Sequence, residues 1–129
     1  MNEDWNIVYY EKDDGTSPVR DYIDSLDFRE QAKALSFIGL LREKGPELKR
    51  PYADLLKDGI HELRIKLTGT QVRILYFFYF QNIVMLTNVF EKHTDVVPEH
   101  EINTAKKYRA DGMERFSIKD FVFRRNADD

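Results

Sequence analysis

Residues 59–94 read GIHELRIKLTGTQVRILYFFYFQNIVMLTNVFEKHT, and this block decides the fold. In its first run Leu63, Ile65 and Leu67 alternate with Glu62, Arg64 and Lys66, the period-two pattern of a strand with one dry face and one charged face. Arg64 and Lys66 therefore point the same way. Thr68-Gly69-Thr70 is a turn signal, the second run places Arg73 in VRILYFFY, and the third, IVMLTNVF, delivers the chain to Lys92 and His93. These five cationic or titratable groups on adjoining strands make a candidate site for a phosphate backbone.

Working outward, Trp5 to Tyr10 reads as a first strand that Asp13-Asp14-Gly15 ends. Ser17 is placed to cap a helix with Pro18 at its first position, and Val19, Tyr22, Ile23 and Leu26 give it one apolar face. Asp27 and Glu30 have capping-box spacing and open a second helix bearing Ala32, Leu35, Ile38 and Leu41, which Gly45-Pro46 stops. Residues 47–59 read as a loop carrying Lys49, Arg50, Tyr52 and Lys57. Beyond the strand block Pro98 opens a last helix, acidic early (Glu99, Glu101) and basic late (Lys106, Lys107, Arg109), for which Gly112 is a stop. The order is strand, two helices, a mainly antiparallel sheet of three or more strands, and a C-terminal helix: an α+β fold with helices against one sheet face. Residues 1–129 form a single domain, and 113–129 are an apolar C-terminal extension whose Phe116, Ile118, Phe121 and Phe123 call for a covering surface, its own sheet or another chain.

The composition narrows the function classes. With 42% hydrophobic and 13% aromatic residues the chain is expected to fold as a soluble globule, and no apolar run is long enough to span a bilayer. The absence of cysteine excludes disulfides, thiolate metal sites and thiol nucleophiles, and the acidic start does not read as a signal peptide, so cytoplasm is the expected location. A net charge of -3 runs against a polyanion partner, but the acid excess is local. Residues 1–30 hold nine acids and three bases, whereas 42–109 hold twelve bases and nine acids. No metal-ligand pattern, Gly-rich phosphate loop or serine-hydrolase elbow is present, and no cofactor is expected.

The chain resembles the phage-derived Gp49-like and HigB-like toxins of the RelE/ParE superfamily. The resemblance is carried by LKDGIHELRIK, VRILYFF after a Gly-containing turn, FEKHT, and the PEHEINTAKKYR segment, together covering roughly Tyr52 to Arg109. It implies the toxin of a type II toxin–antitoxin pair, a metal-independent endoribonuclease that cleaves messenger RNA on the ribosome and thereby inhibits translation, with a helix-turn-helix antitoxin as partner. Homo-oligomers and toxin–antitoxin hetero-oligomers both stay open. On that resemblance Arg64, Arg73 and Lys92 fall on the family's basic positions. His93 stands where relatives commonly carry a second lysine, and Val96 where another precedes the proline.

The implied chemistry requires a base for the 2′-hydroxyl, cations on the phosphoryl oxygens and an acid for the departing 5′-oxygen. Histidine is the residue type that titrates near neutrality, which suits His93 to acid or base work. Arg64 and Arg73 would clamp phosphoryl oxygens and Lys92 would act as a point charge, with Lys66, Lys57 and Tyr76 (or Tyr79) contacting RNA. Structural alternatives stand beside each role. Arg64 and Lys66 can be a solvated strand face, Arg73 can pair with Glu62, His93 can be an exposed loop residue, and Tyr76 to Phe80 can be core. Two other functions are also open: a non-enzymatic gyrase inhibitor of ParE type, and a detoxified mobile-element binding module.

Overall fold

The computed structural model describes residues 4–80 and 82–115; the apolar extension lies outside these from residue 116 onward. Five strands form one mixed sheet: β1 (Asn6–Tyr9), β2 (Ala53–Lys57), β3 (Ile60–Leu67), β4 (Thr70–Tyr79) and β5 (Ile83–Glu91), in the order β1-β5-β4-β3-β2. β1 runs parallel to β5 and every other pairing is antiparallel. Three α-helices, α1 (Pro18–Ser25), α2 (Phe28–Lys44) and α3 (Glu99–Arg115), complete the α+β architecture expected from the sequence. Among the described residues no helix is long and apolar enough to cross a membrane.

The helices cover both faces of the sheet, which corrects the one-sided arrangement expected above. Leu63, Ile65, Val72, Ile74, Tyr76, Val84 and Leu86 pack against Val19, Ile23, Ala34, Ile38 and Leu41 of α1 and α2. The alternate residues Ile60, Leu75, Phe77 and Met85 pack against Ile102 and Ala105 of α3. Two-sided burial is why VRILYFF shows no polar alternation: both faces of its strand are dry, as in a central strand between two layers. At about 1.5–3 kcal/mol for each fully buried aliphatic side chain, these two layers supply most of the force that orders the sheet.

Local signals explain most boundaries. Asp27 caps α2 by accepting the Glu30 amide at 2.8 Å. Ser17 does not cap α1 with its side chain; its hydroxyl donates to the Tyr10 carbonyl at 2.8 Å, tying the helix entry to the end of β1. On α2 the buried arc is Ala34, Phe37, Ile38 and Leu41, whereas Ala32 and Leu35 face outward, a rotation of the expected stripe set by the sheet beneath. The segment expected to be a loop contains β2. Its hairpin with β3 turns on Asp58 (φ 54) and Gly59 (φ 80), the Asp-Gly pair that a two-residue turn of left-handed backbone favours.

Helix α3 runs through Gly112 to Arg115 instead of stopping there. A Cβ at Gly112 would lie 2.7 Å from Met85 Sδ, so the glycine serves close approach of helix to sheet. Tyr10 stacks on Tyr108 at 4.5 Å between centroids and donates its hydroxyl to Asp111 at 2.6 Å, fixing the far end of α3 to β1. Burial, then the Asp111 bond, push the Tyr10 hydroxyl up to about 12.

Gly45 terminates α2 with φ 55 and ψ -130, and a Cβ there would meet Trp5 Nε1 at 2.2 Å. Gly45→Ala is therefore expected to lower stability by roughly 1–3 kcal/mol from backbone strain alone, before the Trp5 displacement is added. Urea unfolding followed by the fluorescence of Trp5, the single tryptophan, checks this.

Candidate functional site

The register of β3, β4 and β5 sets out the cations in rows. Arg64 stands opposite Arg73, which stands opposite Phe90; Lys66 stands opposite Gln71, whose carbonyl accepts the Lys92 amide at 2.8 Å. Paired residues on neighbouring strands share a face and lie within about 4.5–5.5 Å of each other. Arg64, Lys66, Arg73 and Lys92 thus occupy the α3 face of the sheet. Helix α3 packs over Ile60, Leu75, Phe77 and Met85 of that face, and toward its other end Arg73 is buried while Arg64 is half-buried.

A carboxylate sits under the arginines. Glu62 is only 2% exposed, one residue pair from Arg64 on the same strand face, and its Oε1 lies 3.0 Å from Arg73 Nε while Oε2 lies 3.7 Å from Arg64. The contact is ionic without an aligned hydrogen bond: Glu62 Oε1, Arg73 Nε and Arg64 Nε are all buried with no well-directed partner. Arg73 also donates from Nη1 to the Val72 carbonyl at 3.1 Å. Burial pulls its guanidinium below the ordinary arginine range, and the Glu62 charge opposes that shift. Asp54 on β2 extends the network, accepting from Arg50 at 2.8 Å and lying 3.8 Å from Arg64. The Arg50 hydrogen bond, partly offset by burial, holds the Asp54 carboxyl below its usual value of 3.8.

Above this network lies a groove of about 300 Å³ lined by Arg64, Lys66, Arg73 and Gln71 on one side and by Phe37, Pro51 and Tyr52 on the other. β2 leaves β3 at Leu63, apart from one further bond from the Arg64 amide to the Tyr52 carbonyl at 2.8 Å. The uncovered edge of β3 beyond that point forms the floor. Among the described residues no carboxylate lines the groove, although Glu62 and Asp54 each lie within 4 Å of Arg64.

The sequence-derived positions separate on this surface. Arg64, Arg73 and Lys66 meet in one groove, and Lys92 joins them by register one strand away. Arg73 makes the pairing with Glu62 that was the structural alternative, so its fork is committed on one side. His93 lies just past the end of β5 with its side chain 79% exposed and Nε2 3.9 Å from Glu91, outside the groove lining. Lys57 lies elsewhere, bonded at 2.9 Å to Glu99 on the first turn of α3. Tyr76 is 1% exposed, stacked on His61 at 5.2 Å within the layer under α2, which corrects the expectation that its ring reaches a base. Of the basic residues late in α3, Lys106 bonds Asp58 at 2.7 Å and Arg109 bonds the Asp58 carbonyl at 2.5 Å, clamping the β2–β3 turn. Among the described residues no group of three or more His, Asp or Glu side chains is placed to hold a metal ion.

From the sequence Asp54, Gln71 and Tyr52 had no role in the site, and Glu62 entered only as the alternative partner of Arg73. The Glu-x-Arg spacing in HELRIK placed Glu62 beside Arg64 on one strand face, and the exposed tyrosine inside LKRPY was the signal for Tyr52. Glu62→Gln is expected to cost roughly 3–5 kcal/mol by leaving Arg73 uncompensated, whereas the double variant Glu62→Leu, Arg73→Met recovers most of that loss in denaturant titrations. Asp54 has a lowered folded-state pKa, so its contribution is present above the ordinary carboxylate range and is lost as pH falls through the lowered value. Asp54→Asn should accordingly flatten the acid limb of a stability–pH curve below about pH 4.

No curated protein matches the chain in sequence. The family described as phage derived protein Gp49-like (DUF891) matches residues 21–110, from within α1 to within α3 and including every residue of the groove. On a match spanning more than two thirds of its length, the chain belongs to the phage-derived Gp49-like family.

Proposed function

We propose that the chain is the toxin of a type II toxin–antitoxin pair, of the HigB-like kind within the RelE/ParE superfamily, and that it cleaves messenger RNA in the ribosome without a metal. A helix-turn-helix antitoxin is the partner in this reading. The observation that carries it is the opposition of Arg64 and Arg73 across two strands, flanked by Lys66 and Lys92, beside a groove that no carboxylate lines. A phosphodiester seated there has its non-bridging oxygens on the guanidinium of Arg64, where charge-assisted bonds are strongest, while Arg73, 6% exposed and paired with Glu62, adds positive charge from beneath. Lys92 supplies a further positive charge from the adjacent strand. His93, exposed beyond Lys92, is free to swing toward the ribose and exchange a proton with the 2′-oxygen or the 5′-oxygen. The ribosome holds the message, which accounts for a chain with a net charge of -3 needing only a local cationic patch.

Programmed ribosomes carrying a labelled message test the reading. The wild-type chain is expected to cut the message in the presence of a chelator. Arg64→Ala should slow single-turnover cleavage by roughly 10²–10³-fold, as loss of one preorganised donor to a developing charge does elsewhere. His93→Ala should slow it by about 10²-fold or more and reshape its pH profile. Intact message at protein levels that arrest growth sinks the proposal.

One observation favours a second reading, a non-enzymatic poison of gyrase type or a detoxified binding module: Glu62 already neutralises Arg73, leaving less charge for a phosphate. Growth arrest that survives both Arg64→Ala and His93→Ala selects the first of these, and no arrest on induced expression selects the second.

A further inference from the structure

The groove has two chemically different walls, and the proposed function uses only one. Opposite Arg64, Lys66 and Arg73 stand Tyr52 and Phe37, with ring centroids 6.1 Å apart and tilted at 51°. Tyr52 is 43% exposed, which is unusual for an aromatic ring set among cations with a large core at hand. Its position is fixed by the main chain. The Tyr52 carbonyl accepts the Arg64 amide at 2.8 Å, and the Tyr52 amide donates to the Lys49 carbonyl at 3.0 Å. A flat apolar face is thereby held beside the arginine that faces the phosphate.

We infer that Tyr52 is the base-stacking platform of this groove, so that the site takes one nucleotide of a single strand with its base on the Tyr52 wall and its phosphate on the Arg64–Arg73–Lys66 wall. The inference rests on the reading of the groove as an RNA site and adds the residue that holds the base. Stacking on an aromatic face combined with a cationic track is the usual means of holding single-stranded nucleic acid, and it is tolerant of sequence. A volume of about 300 Å³ is at the small end for ligand sites, suited to a single nucleotide unit. The charge argues for this occupant over a protein segment. The groove is lined by three cations and, among the described residues, by no acid, whereas a second groove of about 460 Å³ beside Tyr10 and Tyr108 sets Asp13, Asp14 and Asp111 against Lys12 and Lys107 and has no cationic surplus. Tyr76 and Tyr79, the other candidates in the strand block, do not line the groove.

The test uses the full chain and a fluorescein-labelled, 2′-O-methyl RNA hexamer, which cannot be cleaved, with inorganic polyphosphate as a competitor that has charge but no base. Tyr52→Ala should weaken hexamer binding by about tenfold or more, Tyr52→Phe should stay within about twofold of wild type, and Tyr52→Leu should be as weak as the alanine variant because bulk without a flat face does not stack. Polyphosphate should bind wild type and Tyr52→Ala equally, while Arg64→Ala weakens both ligands. Hexamer binding that is unchanged in Tyr52→Ala, retained in Tyr52→Leu, or lost in parallel with polyphosphate overturns the inference. So does a wild-type chain that binds no hexamer, an outcome that leaves the aromatic wall to a protein partner. Tyr52-dependent hexamer binding without message cleavage on ribosomes defeats the nuclease reading alone; cleavage with Tyr52-independent binding defeats this inference alone.

Discussion

Glu62 is the constraint on which the cationic end of the sheet depends. A carboxylate buried to 2% exposure is costly without opposite charge beside it, and Arg73 at 3.0 Å and Arg64 at 3.7 Å provide that charge. Such a buried pair contributes little net stability, because desolvation of both groups offsets the attraction, yet removing either partner is expensive. Its effect is on geometry. Two guanidinium groups that would repel each other across neighbouring strands are held side by side, with Arg64 still reaching the groove. Asp54 and Arg50 repeat the arrangement nearer to solvent, where water screens an ion pair and leaves it little net effect on stability.

The sheet explains why the groove lies where it does. Both faces are dry along most of β4 and β5, and the polar groups buried there are bonded in place, Thr87 to the Leu75 carbonyl and Asn88 to Glu101 of α3. On the α3 face of β4 the apolar run ends at Leu75, and Arg73 follows beyond it opposite Arg64. At the sheet edge β2 leaves β3 at Leu63. The two limits coincide, so Arg64, Lys66 and the uncovered strand edge make one concavity.

Charge is allocated between structure and site in the same way. Lys57, Lys106 and Arg109 dock α3 against the β2–β3 hairpin through Glu99 and Asp58, and those contacts remove them from the groove. What remains near the groove is a small surplus from a chain that is acidic as a whole. This suits a ligand presented by a larger assembly better than one captured from dilute solution, because unaided capture draws on many phosphate contacts at once.

How far the residues alone carried the interpretation follows from the range of each force. The strands β3 to β5, the helix cap at Asp27 and the common face of Arg64 and Lys66 were legible, because strand alternation and capping act over two to four residues. The Asp-Gly turn was equally local, but β2 before it is too short and irregular to announce itself. The choice of sheet face for α3, the rotation of α2 that exposes Leu35, and the fates of Tyr76 in the core and Lys57 on Glu99 were decided only by the tertiary structure. So were the burial of Glu62 beneath two arginines and the meeting of Tyr52 with Arg64. A side chain's environment depends on which element returns to cover it, and that is settled by packing between segments tens of residues apart, which no local spacing encodes.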